Sequence, residues 1–304
     1  MFQILTHMGA LILSGISWRA LRPFGHDADT TRHAITGLVY VLLLPALVLE
    51  VLWKAPLGGD AIRLAFTAAS GILICMFLAW LAYRITNTPK PIAGALILAA
   101  AFPNATYMGL PVLEHLLGPQ GRGIALQFDL FACTPLLLSV GILLASAYGE
   151  HKEKAHPLQA LLKVPPLWAA ALAISLNLAD VPIPEWVDEW LTMLSASVVP
   201  LMLIALGMSL RWSAWKHHYL LLLVPVILLQ LFVMPATAML IGKEVGLDGD
   251  LLTGTVLEAA MPSMVLGLVL CDRYGLNTGL FAIAVTLTTA LTLMTLPLWF
   301  GWAT

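Results

Sequence analysis

The sequence predicts an all-α integral membrane protein with ten transmembrane helices, arranged as two inverted five-helix repeats in which helices 4 and 9 are broken. Composition, the lengths of the apolar segments and a repeated pattern of prolines lead to this fold class. Of the 304 residues, 60% are hydrophobic and 11% are charged, and the mean hydropathy is +0.91. So few polar side chains cannot cover a water-soluble domain of this length. The chain is therefore expected in a lipid bilayer.

A helix needs about 20 mostly apolar residues to cross the hydrocarbon core of a bilayer. Ten segments meet this length, near residues 3–19, 33–53, 62–83, 91–117, 121–148, 159–179, 190–210, 218–241, 250–274 and 278–302. The polar connectors between them are short and leave no room for a separate soluble domain. Residues 1–150 are predicted to form the first repeat and residues 157–304 the second.

Basic residues in the connectors predict the orientation, because Lys and Arg concentrate in short cytoplasmic loops. One set of alternate connectors holds Arg19, Arg22, Arg32, Arg84, Lys90, Lys152, Lys154, Lys163, Arg211, Lys216 and Arg273. The other set holds only Lys54, Arg63, Arg122 and Lys243. The larger set is cytoplasmic if both termini lie outside. We therefore expect a multi-pass protein of the cell (inner) membrane with that topology.

Prolines recur at matching places in the two halves. Pro45 and Pro200 lie 155 residues apart, and Pro103 and Pro262 lie 159 apart. A duplicated unit with an odd number of spans must insert its second copy upside down, which is the plan of many secondary carriers. The alternative is a chance alignment, since prolines are common in membrane helices.

Pro103 and Pro262 should each break a helix near the middle of the membrane. Proline removes its own N–H and displaces the carbonyl four residues earlier, here those of Ala99 and Glu258. Irregular backbone at that depth needs cover from protein or from a water-filled cavity. The N–H groups that follow the breaks favour an anion, and they belong to Asn104, Ala105, Thr106 and Ser263. The alternative is a pair of kinked, packed helices whose polar groups satisfy each other.

The segment FPNATYMGLPVLEHLLG resembles the broken-helix signature of the auxin efflux carrier family, in which Pro-Asn-Thr precedes a Met-Gly-hydrophobic-Pro run. Two later segments, LMLIALGMSLRW and VLEAAMPSMVLGLVLCDRYGLNTGLFAIAV, are also similar to that family. The resemblance implies a scaffold of helices 1, 2, 6 and 7 and a moving transport part of helices 3–5 and 8–10. It also implies organic anions as substrates, and a scaffold of this kind offers a possible homodimer contact.

The resemblance implies that Asn104 contacts the substrate carboxylate, at a crossing marked by Pro103 and Pro262. The expected substrate-binding residues are Pro103, Asn104, Ala105, Thr106, Tyr107, Pro262, Ser263 and Met264. The chain lacks the long loop of the plant carriers, and Ala105 stands where they have Thr. Small mono- or dicarboxylates are therefore expected ahead of auxin-like acids.

Three carboxylates lie within the spans, where each is costly by roughly 2.5 to 3.5 kcal/mol and is usually functional or paired. They are Glu50, Asp129 and Glu258. We expect them to couple transport to H⁺ or Na⁺, foremost Glu258, which lies one turn before Pro262. The distantly similar bile acid sodium symporters place an acidic sodium ligand at that point. Structural hydrogen bonding is the alternative, and Glu50 can instead reach the outer interface.

These features together predict a secondary active transporter that works by alternating access, with a small carboxylate and the lipid bilayer as partners. A sodium-coupled symporter of the bile-acid type is the first alternative, and a membrane receptor or channel is the second. No HExxH motif, phosphate-binding glycine loop or Ser-His-Asp set points to an enzyme, a metal or another cofactor. The scattered basic residues do not form a patch for nucleic acid.

Overall fold

The structure, a computed structural model, describes residues 2–55, 58–150, 156–209 and 220–304. Lys152, Lys154, Arg211 and Lys216, which contribute to the predicted orientation, lie outside these ranges. The helices in chain order are α1 (Phe2–Leu21), α2 (Ala28–Lys54), α3 (Gly59–Ile85), α4 (Lys90–Ala101), α5 (Ala105–Tyr148), α6 (Pro157–Leu162), α7 (Pro165–Leu178), α8 (Glu185–Ser209), α9 (Leu221–Glu244), α10 (Gly249–Ala259), α11 (Gly267–Tyr274) and α12 (Thr278–Ala303). The described residues contain no strand, which confirms the predicted all-α class.

Six of these helices are long and apolar enough to cross a membrane, namely α2, α3, α5, α8, α9 and α12. Shorter apolar helices occupy Gly9–Leu21, Lys90–Ala101 and Pro165–Leu178. At 44 residues, α5 would be about 66 Å long if it were straight, twice the thickness of the hydrocarbon core. It is interrupted at Gly118, where φ is +62°. The sequence places a span boundary at this point.

Prolines explain four wide, π-helical turns inside the long helices. The turns are Val39–Leu43, Ala105–Gly109, Asp129–Cys133 and Leu229–Val233. Each is followed, after one intervening residue, by Pro45, Pro111, Pro135 or Pro235. A proline ring collides with the carbonyl four residues earlier, which here belongs to the middle residue of the turn. Widening the turn removes that collision without ending the helix.

The helices pack in two groups. Helices α1, α2, α7 and α8 pack on one another, while α3, α4, α9, α10 and α12 form the other group. The principal contacts between the groups, among the described residues, all involve α5. This helix is therefore the boundary element. Its turn at Ala105–Gly109 contacts α8 of the first group and α10 of the second, and its turn at Asp129–Cys133 contacts α7 of the first group and α3 of the second.

Glycine lets α1 and α8 approach closely in the first group. A Cβ atom built on Gly15 would lie 2.9 Å from Gly207 Cα and 2.8 Å from the Met208 nitrogen. Real Cβ atoms do not come so close to backbone. Small residues of this kind allow the tight helix contacts that dispersion forces need in lipid.

We expect Gly15→Ala to lower the melting temperature of the purified protein, because overpacking a close contact costs about 1–3 kcal/mol. The matched control is Gly9→Ala, since a Cβ on Gly9 of the same helix meets nothing within 4 Å. Thermal unfolding in detergent compares the two variants. Equal melting temperatures would contradict the close contact between α1 and α8.

Candidate functional site

The two interrupted helices meet at their breaks. Between α4 and α5, and again between α10 and α11, the chain is extended, and Pro103 and Ser263 form an isolated antiparallel bridge. The Asn104 N–H donates to the Pro262 carbonyl at 2.7 Å, and the Met264 N–H donates to the Phe102 carbonyl at 2.9 Å. Each break thus supplies the backbone partner that the other lacks.

Side chains satisfy further groups at the crossing. The Ser263 hydroxyl donates to the Ala99 carbonyl at 2.6 Å, which is the acceptor that Pro103 deprives of its usual donor. The Ser263 N–H donates to the Thr288 hydroxyl oxygen at 3.1 Å. The Gln230 amide donates to the Met261 carbonyl at 2.9 Å. The groups that stabilise the crossing therefore come from four helices, α4, α9, α10 and α12, or from residues directly next to these helices.

Two details of the sequence prediction are wrong here. The N–H groups of Asn104 and Ser263 were expected to be free for an anion, but both have acceptors inside the crossing. The Glu258 carbonyl was expected to be bare, but it accepts the Met261 N–H at 3.2 Å. The pairing of the two extended segments supplies the acceptor for the Asn104 N–H, a hydroxyl of α12 accepts the Ser263 N–H, and the turn at the end of α10 supplies the donor for the Glu258 carbonyl.

Free donors do remain at the start of α5. The first N–H that bonds within this helix is that of Met108, which donates to the Asn104 carbonyl at 3.1 Å. The N–H groups of Ala105, Thr106 and Tyr107 therefore have no acceptor within the helix. They form the positive end of its dipole.

A cavity lies next to these donors, between the two packing groups. Including its open mouth, it measures about 530 Å³, and its lining consists of Tyr40, Leu44, Asn104, Thr106, Tyr107, Asp129, Leu130, Thr134, Leu138, Val164, Pro166, Met264 and Leu266. Of the predicted binding residues, Asn104, Thr106, Tyr107 and Met264 line it. Pro103, Ala105, Pro262 and Ser263 instead form the crossing beside it.

Asn104 is the most informative polar residue in the lining. Only 2% of its surface is exposed, and within the described ranges its Nδ2 atom has no hydrogen-bond partner. Burying an amide donor without a partner is unfavourable by about 1–3 kcal/mol. Such a group in a cavity wall is typical of a site whose ligand supplies the acceptor.

The three carboxylates lie in different surroundings. Asp129 lines the cavity and accepts hydrogen bonds from two hydroxyls, that of Thr106 on Oδ2 and that of Thr134 on Oδ1, the latter at 2.8 Å. Glu258 is fully buried outside the lining, and neither of its carboxylate oxygens has a partner among the described residues. It lies against Gly109, where a Cβ atom would overlap the carboxylate.

Glu50 lies in an ion-pair cluster, and it is not a lining residue of the cavity. Its Oε1 atom is 3.4 Å from Arg122 Nη1 and accepts the Thr192 hydroxyl at 3.2 Å. Arg122 also pairs with Glu114 at 2.9 Å. The cluster joins α2 and α8 to α5. Glu50 therefore lies in different surroundings from Asp129 and Glu258.

Three polar residues of this region, Tyr40, Thr134 and Gln230, were not predicted from the sequence. Gln230 carried a usable signal, since it is a lone amide in the apolar run VPVILLQLFVMPA, and polar groups at membrane depth are rarely idle. Thr134 follows Asp129 by five residues, a spacing that only the π turn brings together. Tyr40 gave no signal, because it reaches the cavity from the other packing group.

Comparison with known proteins gives a consistent picture. The sequence pattern of the family described as membrane transport protein matches residues 11–300. An uncharacterized transporter of Methanothermobacter thermautotrophicus is 28% identical over 291 residues, which is 95% of this chain and 94% of the relative. One from Methanocaldococcus jannaschii is 27% identical and covers 92% of each chain. The uncharacterized transporter YfdV of Escherichia coli is 25% identical, covering 78% of this chain and 77% of its own.

We expect Ser263→Ala to lower the free energy of unfolding by about 1–3 kcal/mol, because it strands the buried Ala99 carbonyl without a donor. The matched control is Ser175→Ala, whose hydroxyl bonds the Ala171 carbonyl of its own helix on an exposed face. Unfolding in detergent by heat or denaturant measures both variants. A Ser263→Ala protein as stable as the control would contradict the bond across the crossing.

Proposed function

The chain belongs to the membrane transport protein family, that of the auxin efflux carriers, and we propose that it is a secondary active transporter of small organic anions. The family match confirms the resemblance that the broken-helix segments indicate. The observation that carries the proposal is the buried side-chain amide of Asn104 in the cavity wall, which has no hydrogen-bond partner among the residues that the structure describes. Beside it lie the free N–H groups that begin α5, so donors and a positive dipole end converge on one place.

The proposed mechanism is alternating access between two parts of the protein. Helices α1, α2, α7 and α8 would form the scaffold, with a homodimer contact as its further role, and α3–α5 and α9–α12 would form the transport part. In this scheme the two halves of α5 contribute to spans four and five, and α10 with α11 forms span nine. That makes ten spans in two inverted repeats. The separation of the packing groups and the position of the cavity between them support this division.

The proposed substrates are mono- or dicarboxylates small enough for a cavity with one cluster of anion donors. Its lining is largely apolar apart from Asn104, two threonines, two tyrosines and Asp129. The protein would work in the cell membrane with both termini outside.

Glu258 favours coupling of this transport to an ion, either H⁺ or Na⁺. Glu258 is fully buried and has no partner in the described part of the chain. Such a carboxylate is strongly unfavourable when charged and gains from a proton or a cation. It packs against Gly109 at the beginning of α5, the same turn that carries the proposed anion donors. An ion at Glu258 and an anion in the cavity would therefore act on one helical turn.

Uptake into proteoliposomes tests the transport proposal. Entry of labelled benzoate or malonate should saturate and show counterflow, whereas flux that stays linear to high concentration would indicate a channel.

We expect Asn104→Ala to raise KM about tenfold, the effect of losing one hydrogen bond to a charged group. The near-isosteric Asn104→Asp should impair uptake further, because it places a like charge beside the substrate. An unchanged KM in both variants would remove Asn104 from the site.

Replacing Glu258 by Gln should reduce the response of uptake to an imposed H⁺ or Na⁺ gradient, because the amide neither takes up a proton nor carries a charge. The control is Glu244→Gln, at the exposed end of α9, which should leave the response unchanged. Separate proton, sodium and voltage gradients across the vesicle membrane identify the ion. Full responsiveness of Glu258→Gln to every gradient would refute coupling at this residue.

A further inference from the structure

The cavity proposed for an organic anion already contains a carboxylate. Asp129 is 5% exposed, and the described lining residues include no Lys, Arg or His that would balance a second negative charge. Two like charges in a water-poor cavity repel strongly. An anion and an ionised Asp129 therefore do not occupy this cavity together without a large loss of affinity.

Asp129 also accepts hydrogen bonds from two hydroxyl groups that an anion in the cavity would need as donors. The hydroxyls of Thr106 and Thr134 both lie in the cavity wall and both donate to Asp129, one to each oxygen. A carboxylate in this state accepts both hydrogen bonds, whereas a protonated carboxyl needs fewer donors and can itself donate. Protonation would free at least one threonine hydroxyl to turn towards the ligand.

We propose that Asp129 is the proton site that is linked to substrate binding, so that the cavity takes up one proton with each monocarboxylate anion. The inference rests on the proposed transport of organic anions; it assigns the proton to the Asp129 carboxylate and leaves Na⁺ as the ion that Glu258 would bind. In the step, a proton from water adds to one oxygen of Asp129, and a hydroxyl released by it donates to the substrate carboxylate. The cavity with a bound monoanion and a proton then carries the same net charge as the empty cavity with ionised Asp129. Transport of a monoanion together with its proton is therefore electroneutral.

Other titratable groups near Asp129 do not replace it in this role. Those that interact with it electrostatically are Tyr40 from α2, Tyr107 from the first turn of α5, Cys133 from its own turn and Glu258 from α10, and Arg32 acts on Tyr107. Tyrosine and cysteine normally stay neutral, and arginine charged, between about pH 6 and about pH 8. Glu258 is the one rival, and it does not line the cavity.

Binding of benzoate to the purified protein at about pH 6 and about pH 8 tests the inference, since benzoate is ionised throughout this range. We expect the dissociation constant to rise by up to about tenfold per pH unit. In Asp129→Asn, which keeps the shape and carries no charge, binding should be as tight at the higher pH as at the lower. Glu258→Gln should keep the pH dependence of wild type.

A second measurement needs no variant. Titrations in buffers with different ionisation enthalpies give the number of protons taken up per benzoate, and we expect about one at the higher pH. Equal affinities at both pH values with no proton uptake, or a pH dependence that survives in Asp129→Asn and disappears in Glu258→Gln, would overturn the assignment. If neither benzoate nor malonate binds wild type at any pH, the proposed function itself fails, and this result is distinct from the others.

Discussion

In a bilayer, a carbonyl that a proline deprives of its donor must find another donor inside the protein, because no water is available to replace it. The Ala99 carbonyl, opposite Pro103, takes the Ser263 hydroxyl from the other interrupted helix. The Leu231 carbonyl, opposite Pro235, takes the Trp299 indole N–H at 2.8 Å. Prolines therefore do more than bend helices here. Pro103 and Pro235 each leave a carbonyl that a donor from a distant segment satisfies, and these bonds hold the helices together.

The crossing sets the position of the first turn of α5, and this turn stands between the two buried carboxylates. Thr106 on the turn bonds Asp129 in the cavity, and Gly109 on the same turn touches Glu258 outside it. A shift or rotation of the turn would change the surroundings of both carboxylates at once. Linkage between an anion and a coupling ion requires such a shared element, because each ligand must favour the same arrangement.

Local rules were sufficient to predict the all-α membrane fold, the breaks at Pro103 and Pro262 and the polar residues that follow them. Which acceptors the N–H and hydroxyl groups at the breaks bind depends on contacts between segments that are distant in sequence. These contacts cannot be predicted from a single sequence without a fold. Glu50 illustrates the difference. By depth alone it resembled Asp129 and Glu258, yet Arg122, far along the chain, pairs with it. Tyr40 likewise reaches the cavity through packing between helix groups.

The two breaks resemble each other in sequence but differ in what they leave unpaired. After Pro262, both the hydroxyl and the N–H of Ser263 are bonded within the protein, and the next helix begins only at Gly267. After Pro103, the helix resumes at Ala105, and the Asn104 side-chain amide at the cavity has no partner within the described ranges. The donors at the second break thus form hydrogen bonds that stabilise the crossing. Donors at the first break remain available to a ligand in the cavity. An anion should therefore bind at the first break, although both have the same proline chemistry.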